Sequence, residues 1–468
     1  MRNALGDNST IAAISTPIGE GGIGIVRLSG HDAYAIANKI FSPKRKGKSY
    51  PQSHRLYYGF IEDKNLEIVD EVMVSFMKAP ATYTREDVVE INCHSGILML
   101  KMILELVLQN GARMANAGEF TRRAFINGRI DLSQAESVLN LVTARSEKAI
   151  KSAARSVKGE LSGKINVLRE QLISIIANIE AIIDFPEDIE DINEEEMEEK
   201  VKELTLIHQE VKHLYKNAEK GNIFQYGLRV SIVGKPNVGK SSLLNSLINK
   251  QRSIVTEIPG TTRDLLEEQI NIQGVPVVFV DTAGIRKTEE PVESIGVEYS
   301  KRAIEDSDMV LFLIDAFTGV EEEDKEIMNF ILESKKEFLV LVNKIDLKDW
   351  KEEQELIEYE KVSSENIVKI SVKEKIGIEK VEENIVSMVE GGTVTGREDS
   401  MVLNVRHKEA LKEIKEHLNE ALRNIETHPI DLITSDLKMA EKRLGEITGS
   451  YVSEDILDHI FSNFCIGK

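Results

Sequence analysis

Cysteine is nearly absent: the 468-residue chain has two, Cys93 and Cys465, set far apart in the sequence. Such a pair builds no disulfide framework of the kind that staples small secreted domains, which fits a reducing cytosol. Also missing is any apolar stretch approaching the roughly 20 residues needed to cross a bilayer. The N-terminus shows no basic region followed by an apolar core and a cleavage site, so a soluble, cytoplasmic protein with no membrane partner is expected. Basic charge is short as well, with 59 Lys and Arg against 79 Asp and Glu and a formal net charge of −20. Long-range attraction of the whole molecule to nucleic acid is therefore not expected. Direct contact with RNA would need a local basic face, for which Arg122, Arg123, Lys148, Lys151 and Arg155 are candidates, or a partner that supplies it. A solvated helix surface accounts for the same five residues.

What is present is a phosphate-binding loop. Residues 234–242 read Gly-Lys-Pro-Asn-Val-Gly-Lys-Ser-Ser, after the apolar strand-like run Leu228 to Val233 and before the helix-like run Leu243 to Ile248. Gly234 and Gly239 let the backbone curl so that successive N–H groups and a helix N-terminus face phosphates, while Lys240 and Ser241 reach phosphate and Mg2+. Asn237, Val238, Gly239, Lys240, Ser241 and Ser242 are the expected contacts.

Two further strand-like runs end in polar residues suited to a nucleotide. Val277 to Val280 leads into Asp281-Thr282-Ala283-Gly284, which places an acid near Mg2+ and a flexible glycine amide at the γ-phosphate. Phe338 to Val342 leads into Asn343-Lys344-Ile345-Asp346, whose carboxylate can accept from N1–H and the exocyclic amine of guanine. Adenine offers no such pair of donors, so GTP is favoured. A third run, Asn366 to Ile370, ends in Ser371-Val372-Lys373, where backbone amides support the guanine oxygen. The alternation of apolar runs with charged helical segments between Gly227 and Glu390 is that of βαβ units on a parallel sheet. Ligands bind such sheets at strand ends, and the motif order resembles the translation-factor-like GTPases.

Gly260-Thr261-Thr262-Arg263-Asp264 is the expected first switch, with Thr262 a second hydroxyl ligand of Mg2+ that holds only while the γ-phosphate is present. Ile285 follows Gly284 and cannot orient water as a glutamine would. Glu289, Glu290 or Glu293 could do so, or could be solvated charge. Asn237 offers a carbonyl for a monovalent cation between the phosphates.

The flanks are large enough for two more domains. Short apolar runs such as Val72 to Phe76, with helical segments such as Met99 to Leu108, make the first 120 or so residues α+β. Ser133 to Ala218 and Arg406 to Ser462 carry helical spacing, so one discontinuous helical domain with the nucleotide module inserted is the simplest packing. The expected division is 1–122, 123–219, 220–390 and 391–468.

Several segments together carry a resemblance along the whole chain. They are Gly19-Glu-Gly-Gly-Ile-Gly-Ile-Val-Arg27, Thr84-Arg-Glu-Asp-Val-Val-Glu90, Gly118-Glu-Phe-Thr-Arg-Arg-Ala-Phe-Ile-Asn-Gly128, Asp131-Leu-Ser-Gln-Ala-Glu136 and Cys465-Ile-Gly-Lys468. The sequence resembles the MnmE (TrmE) family of tRNA modification GTPases. That resemblance implies an N-terminal α+β folate-binding and dimerisation domain, a discontinuous helical domain and an inserted P-loop GTPase domain with a mostly parallel sheet. It implies a homodimer that works with the FAD- and NADH-using flavoprotein MnmG as a heterotetramer. Together they place an aminomethyl-type group, such as carboxymethylaminomethyl, on carbon 5 of the tRNA wobble uridine. The carbon would come from 5-formyl- or 5,10-methylene-tetrahydrofolate.

Carried onto these positions, the resemblance puts folate contacts at Arg27, Glu90, Arg129 and Lys468. It puts nucleotide contacts along Thr256, Glu257, Ile258, Pro259, Gly260, Thr261 and Thr262. K+ would be held by Asn237 with Thr256, Ile258 and Thr261, and Glu293 would be catalytic, orienting the attacking water through a bridging water. Two positions depart from the family pattern: Arg129 stands where lysine is common, and His94-Ser95-Gly96 where His-Gly-Gly is common.

Other signals point elsewhere and are rejected on context. Gly19, Gly21 and Gly24 satisfy a dinucleotide spacing, but Ile25-Val-Arg-Leu reads as a strand rather than a helix. Cys465-Ile-Gly-Lys resembles a prenylation box with the wrong ending and no polybasic stretch before it. The functional alternative is a ribosome-assembly GTPase acting as an RNA-binding switch, against which stands the lack of a G-x-x-G RNA-binding module after the GTPase segment.

Overall fold

The computed structural model describes residues 9–45, 47, 50–144, 146–184, 194–252, 268–280, 295–347, 362–390, 403–424 and 430–468. The chain divides into two compact units, one of Met1–Leu139, Arg155–His208 and Glu413–Lys468, the other of Asn140–Ala154 and Gln209–Lys412.

The first unit holds a seven-stranded sheet ordered β3-β4-β5-β6-β2-β1-β7. Its strands are β1 (Ile11–Ile14), β2 (Gly24–Ser29), β3 (Phe41–Pro43), β4 (Arg55–Glu62), β5 (Ile68–Met77), β6 (Val88–Cys93) and β7 (Arg113–Met114). Along β5 burial alternates, with Val72, Val74 and Phe76 inside and Glu71 and Met73 outside. That period of two is the mark of an antiparallel strand with one covered face. The covered face packs on helices Ala33–Ile40 and Ile97–Gln109 through Val26, Leu28, Ile36, Phe76, Leu100 and Ile103. Helix Glu160–Asp184 packs against helix Ile430–Thr448 in the same unit, tied by Arg169 Nε to Glu441 at 2.7 Å and by Lys438 to Glu180. Apolar spacing is what pairs them: Leu168, Leu172, Ile175 and Ile179 are buried, as are Leu437, Ala440 and Leu444.

The second unit holds a six-stranded sheet ordered β13-β12-β11-β8-β10-β9. The strands are β8 (Leu228–Val233), β9 (Glu268–Ile272), β10 (Val275–Phe279), β11 (Met309–Asp315), β12 (Glu337–Asn343) and β13 (Ile367–Lys369). All neighbours run parallel except the edge pair β9 and β10. Every residue of β11 is buried, as expected of a parallel strand covered on both faces. Leu311 and Leu313 face helices Lys240–Arg252 and Ile378–Glu390, while Val310, Phe312 and Ile314 face helices Ile295–Glu305 and Glu322–Ser334. Burying one such leucine stabilises the fold by about 2 kcal/mol relative to leaving it exposed. β8 lies between β11 and β10, so the chain leaving its C-terminal end stands at the reversal of strand order, where open α/β sheets bind ligands.

Candidate functional site

The loop after β8 is shaped by its neighbours as much as by its own sequence. Gly239 sits at φ +107°, and a Cβ there would lie 2.4 Å from Asn343 Nδ2, so glycine is required. Asn343, the last residue of β12, donates from Nδ2 to Val238 O at 2.8 Å and accepts from Val372 N–H at 3.1 Å. One side chain thus ties the phosphate loop to the loop after β13. Lys240 Nζ donates to Gly234 O at 2.6 Å and Lys235 O at 2.7 Å, and burial pushes its ammonium down to about 8. Ser241 and Ser242 stand exposed in the first turn of helix Lys240–Arg252, with Asn237 exposed in the left-handed region at φ 62°.

The base-reading side is equally fixed. Asp346 Oδ1 accepts from Ser371 Oγ at 2.6 Å, and that bond, helped by Lys373 and Lys344, holds the carboxyl below the usual aspartate range. Lys344 pairs with Asp315 at the end of β11, Nζ to Oδ2 2.5 Å. Asn237, Gly239, Asn343, Lys344, Asp346 and Lys373 line one cavity of about 880 Å³, with Ser242 and Val372 also on its wall. A carboxylate and a loop of backbone amides across one cavity can hold a guanine base and its phosphates.

Thr256, Glu257, Ile258, Pro259, Gly260, Thr261, Thr262, Asp281, Thr282, Ala283, Gly284 and Glu293 lie outside the described residues, as do Glu289 and Glu290. Sequence reading overlooked Asp315, although the apolar run Met309 to Ile314 ending in an acid carries the same strand-end signal that marked Asn343.

In the first unit, Arg27 and Glu90 are register partners on β2 and β6 and pair at 2.8 Å. Arg27 also donates to Gly467 O at 3.1 Å, Ser15 Oγ donates to the same carbonyl at 3.2 Å, and the guanidinium lies 5.7 Å from the Phe120 ring centre. Gly467 has φ +97°, and a Cβ on it would meet Ile14 O at 2.3 Å, so the C-terminal tail fits against β1 only with glycine there. Next to it, Lys468 is shifted down by burial and by Arg27, partly offset by Cys465. Arg129 lies 4.6 Å over the Tyr83 ring, and Tyr83 packs against the small cluster that contains Phe120. Arg27, Glu90 and Lys468 thus lie together beside Gly467, and Arg129 joins them through Tyr83 and the cluster that contains Phe120. Guanidinium groups over aromatic rings suit a planar, anionic ligand.

Two sequence expectations are corrected or clarified. Arg123 is no part of an exposed basic face: its side chain is buried, pairing with Glu86 and Glu119 at 3.0 Å each. Its charge is consumed inside the fold, where Glu119 is held low because Arg113, the Asn116 N–H and Arg123 outweigh the opposing effect of burial. Ser95, where the resemblance leads one to expect glycine, bonds its hydroxyl to the Gly21 carbonyl. The strand reading of Ile25-Val-Arg-Leu stands, because β2 spans those residues.

A mostly parallel sheet, a glycine-shaped phosphate loop at its switch point and an Asn-Lys-x-Asp strand end define a P-loop GTPase. Comparison with known proteins carries this further. The family model described as the MnmE helical domain matches residues 132–465, and that described as the GTP-binding protein TrmE N-terminus matches residues 10–129. The tRNA modification GTPase MnmE of Desulforamulus reducens is 46% identical over 464 residues, covering 98% of this chain and 100% of that protein. Its counterpart in Thermoanaerobacter pseudethanolicus is 47% identical over 463 residues, covering 98% and 99%. The chain belongs to the tRNA modification GTPase MnmE family. A solved structure of Aquifex aeolicus Era bound to GDP and AlF4− is 30% identical over 41% of this chain and 66% of that one, at a TM-score of 0.26.

Proposed function

We propose that this protein is a K+-dependent GTP hydrolase that acts with the flavoprotein MnmG to install an aminomethyl-type group on carbon 5 of the tRNA wobble uridine. The observation that carries the nucleotide part is the cavity joining Asn237 and Gly239 to Asn343 and Asp346. The remainder is supported by membership of the family and by the Arg27, Arg129 and Lys468 cluster of the first unit.

In this reading Asp346 selects guanine and Lys240 neutralises phosphate charge. The exposed Ser241 hydroxyl fits a Mg2+ ligand, with Thr262 as the second, and Asn237, exposed in the phosphate loop, fits a K+ ligand with Thr256, Ile258 and Thr261. These cations would supply positive charge at the phosphates, the part an arginine finger plays elsewhere. Glu293 positions the attacking water. Arg27, Glu90, Arg129 and Lys468 hold a tetrahydrofolate one-carbon derivative, and FAD and NADH enter through the partner. The protein works as a homodimer in the cytoplasm, in a heterotetramer with MnmG, and GTP turnover gates the chemistry without GTP entering the product. The three-part organisation, with the GTPase domain inserted in a discontinuous helical domain, provides the route for that coupling.

The test is nucleoside mass spectrometry of bulk tRNA from cells lacking the protein. Loss of the carbon-5 aminomethyl wobble uridines, restored by the wild-type chain and not by Lys240→Ala, is expected. Fully modified tRNA in the deletion strain would sink the tRNA assignment and bring forward a ribosome-assembly role.

A further inference from the structure

The phosphate loop carries a second lysine to which the motif gives no task. Lys235 directs its ammonium away from solvent, with a side chain only 11% exposed, onto Glu321 Oε2 at 2.7 Å and Asp324 Oδ2 at 2.8 Å. Asp324 is fully buried and belongs to the capping box that starts helix Glu322–Ser334, its Oδ2 also accepting the Glu321 N–H at 3.0 Å. An acid locked by a helix cap is a rigid anchor. Although burial alone would lower the Lys235 ammonium, bonds from Asp324 and Glu321 outweigh it, so the group stays charged.

The lysine's backbone faces the other way. Its carbonyl accepts from Lys240 Nζ at 2.7 Å, so the side chain of Lys235 fixes the peptide that in turn seats the phosphate-binding lysine. At the near end of the same segment, Asp315 holds Lys344 beside the guanine-reading Asp346. The stretch from Asp315 to Asp324 therefore grips the phosphate loop with its far end and the base loop with its near end.

We propose that Lys235, Glu321 and Asp324 form a brace that holds the phosphate loop in its nucleotide-binding shape, with Lys235 a positioning residue rather than a phosphate ligand. The two carboxylates within ion-pair distance already use its charge. A buried ion pair contributes little net stability but fixes geometry, and a site built of backbone amides needs fixed geometry. The brace rests on the assignment of a guanine nucleotide to this loop.

The experiment measures equilibrium binding and dissociation rate of fluorescent GDP, together with Tm, for the full chain and three variants. Lys235→Met should raise Kd about tenfold or more, mainly through faster dissociation, and Lys235→Arg should restore most of it. Lys235→Met alone leaves Asp324 charged and buried, so lower stability could contribute. The double variant Lys235→Met with Asp324→Asn removes that charge and keeps an acceptor for the Glu321 N–H. It should recover Tm and keep the raised Kd. Wild-type Kd in the double variant would overturn the brace, because Lys235 would then serve only to neutralise Asp324. Failure of the wild-type chain itself to bind GDP would overturn the nucleotide assignment along with it, whereas normal binding by every variant would overturn the brace alone.

Discussion

Around the nucleotide cavity the defining groups are peptide N–H and C=O shaped by Gly239 and tied by Asn343, whereas in the cluster around Arg27 they are long cationic side chains steadied by Glu90, aromatic rings and the Gly467 carbonyl. Backbone can be aimed only by fixing torsions, so the first site has no slack: one misplaced peptide disturbs every phosphate contact. Side chains retain rotamers, so the second site can adjust, and its cost for a single loss is smaller. The two also differ in how their parts are gathered. Phosphate-loop contacts come from consecutive residues, while Arg27 takes one partner 63 positions away and another 440 positions away.

The largest effect should come from the least adjustable point. Gly239→Ala forces a Cβ onto Asn343 at a φ that side chains avoid, and GDP affinity measured by calorimetry should fall about 100-fold, in line with strain of up to about 3 kcal/mol. An unchanged Kd would erase the contrast. Asp346→Asn removes a charge-assisted acceptor, and GTP affinity should drop about 30-fold while the preference over ATP narrows; an unchanged preference would move base reading elsewhere. Gly467→Ala should weaken 5-formyl-tetrahydrofolate binding about tenfold by displacing the tail from Ile14, with GDP affinity unaltered. A matching loss of GDP affinity would show that the two sites are not separable.

The smallest effect is a pH dependence. Lys240 lies near 8 through burial in the nucleotide-free chain, and bound phosphate favours its charged form. Binding must then take up a proton once the pH exceeds that value, so GDP affinity falls with rising pH, about twofold by pH 8. Calorimetry in buffers of different ionisation enthalpy reads this directly, and no proton uptake between pH 7 and 9 would place the lysine outside that range.

The same contrast sets what could be read from sequence. A contiguous loop announces itself: Leu228 to Val233 was expected as a strand and is one with the same bounds, and Asn343 and Asp346 share a cavity wall with Gly239 as their spacing implied. Pairing between distant side chains does not announce itself. Nothing in the spacing of Lys235 and Asp324 shows that they meet: the cap that fixes Asp324 is local, but the ion pair that brings Lys235 onto it is a tertiary event. The Arg27, Glu90 and Gly467 cluster was reachable only through family resemblance. Arg123 reads as surface charge because it stands next to a second arginine, Arg122, yet Glu86 and Glu119 draw it inside. Strand β11 carries no nucleotide motif, although its apolar run is as clear as the others.

The most direct measurement is GTP turnover by the purified full chain in KCl against NaCl at equal ionic strength, for the wild type and Asn237→Ala. The account predicts turnover at least about tenfold faster in KCl, with that advantage lost in the variant while GDP binding persists. Equal rates in the two salts would contradict the cation-assisted mechanism, and a K+ advantage that survives Asn237→Ala would place the cation away from the phosphate loop.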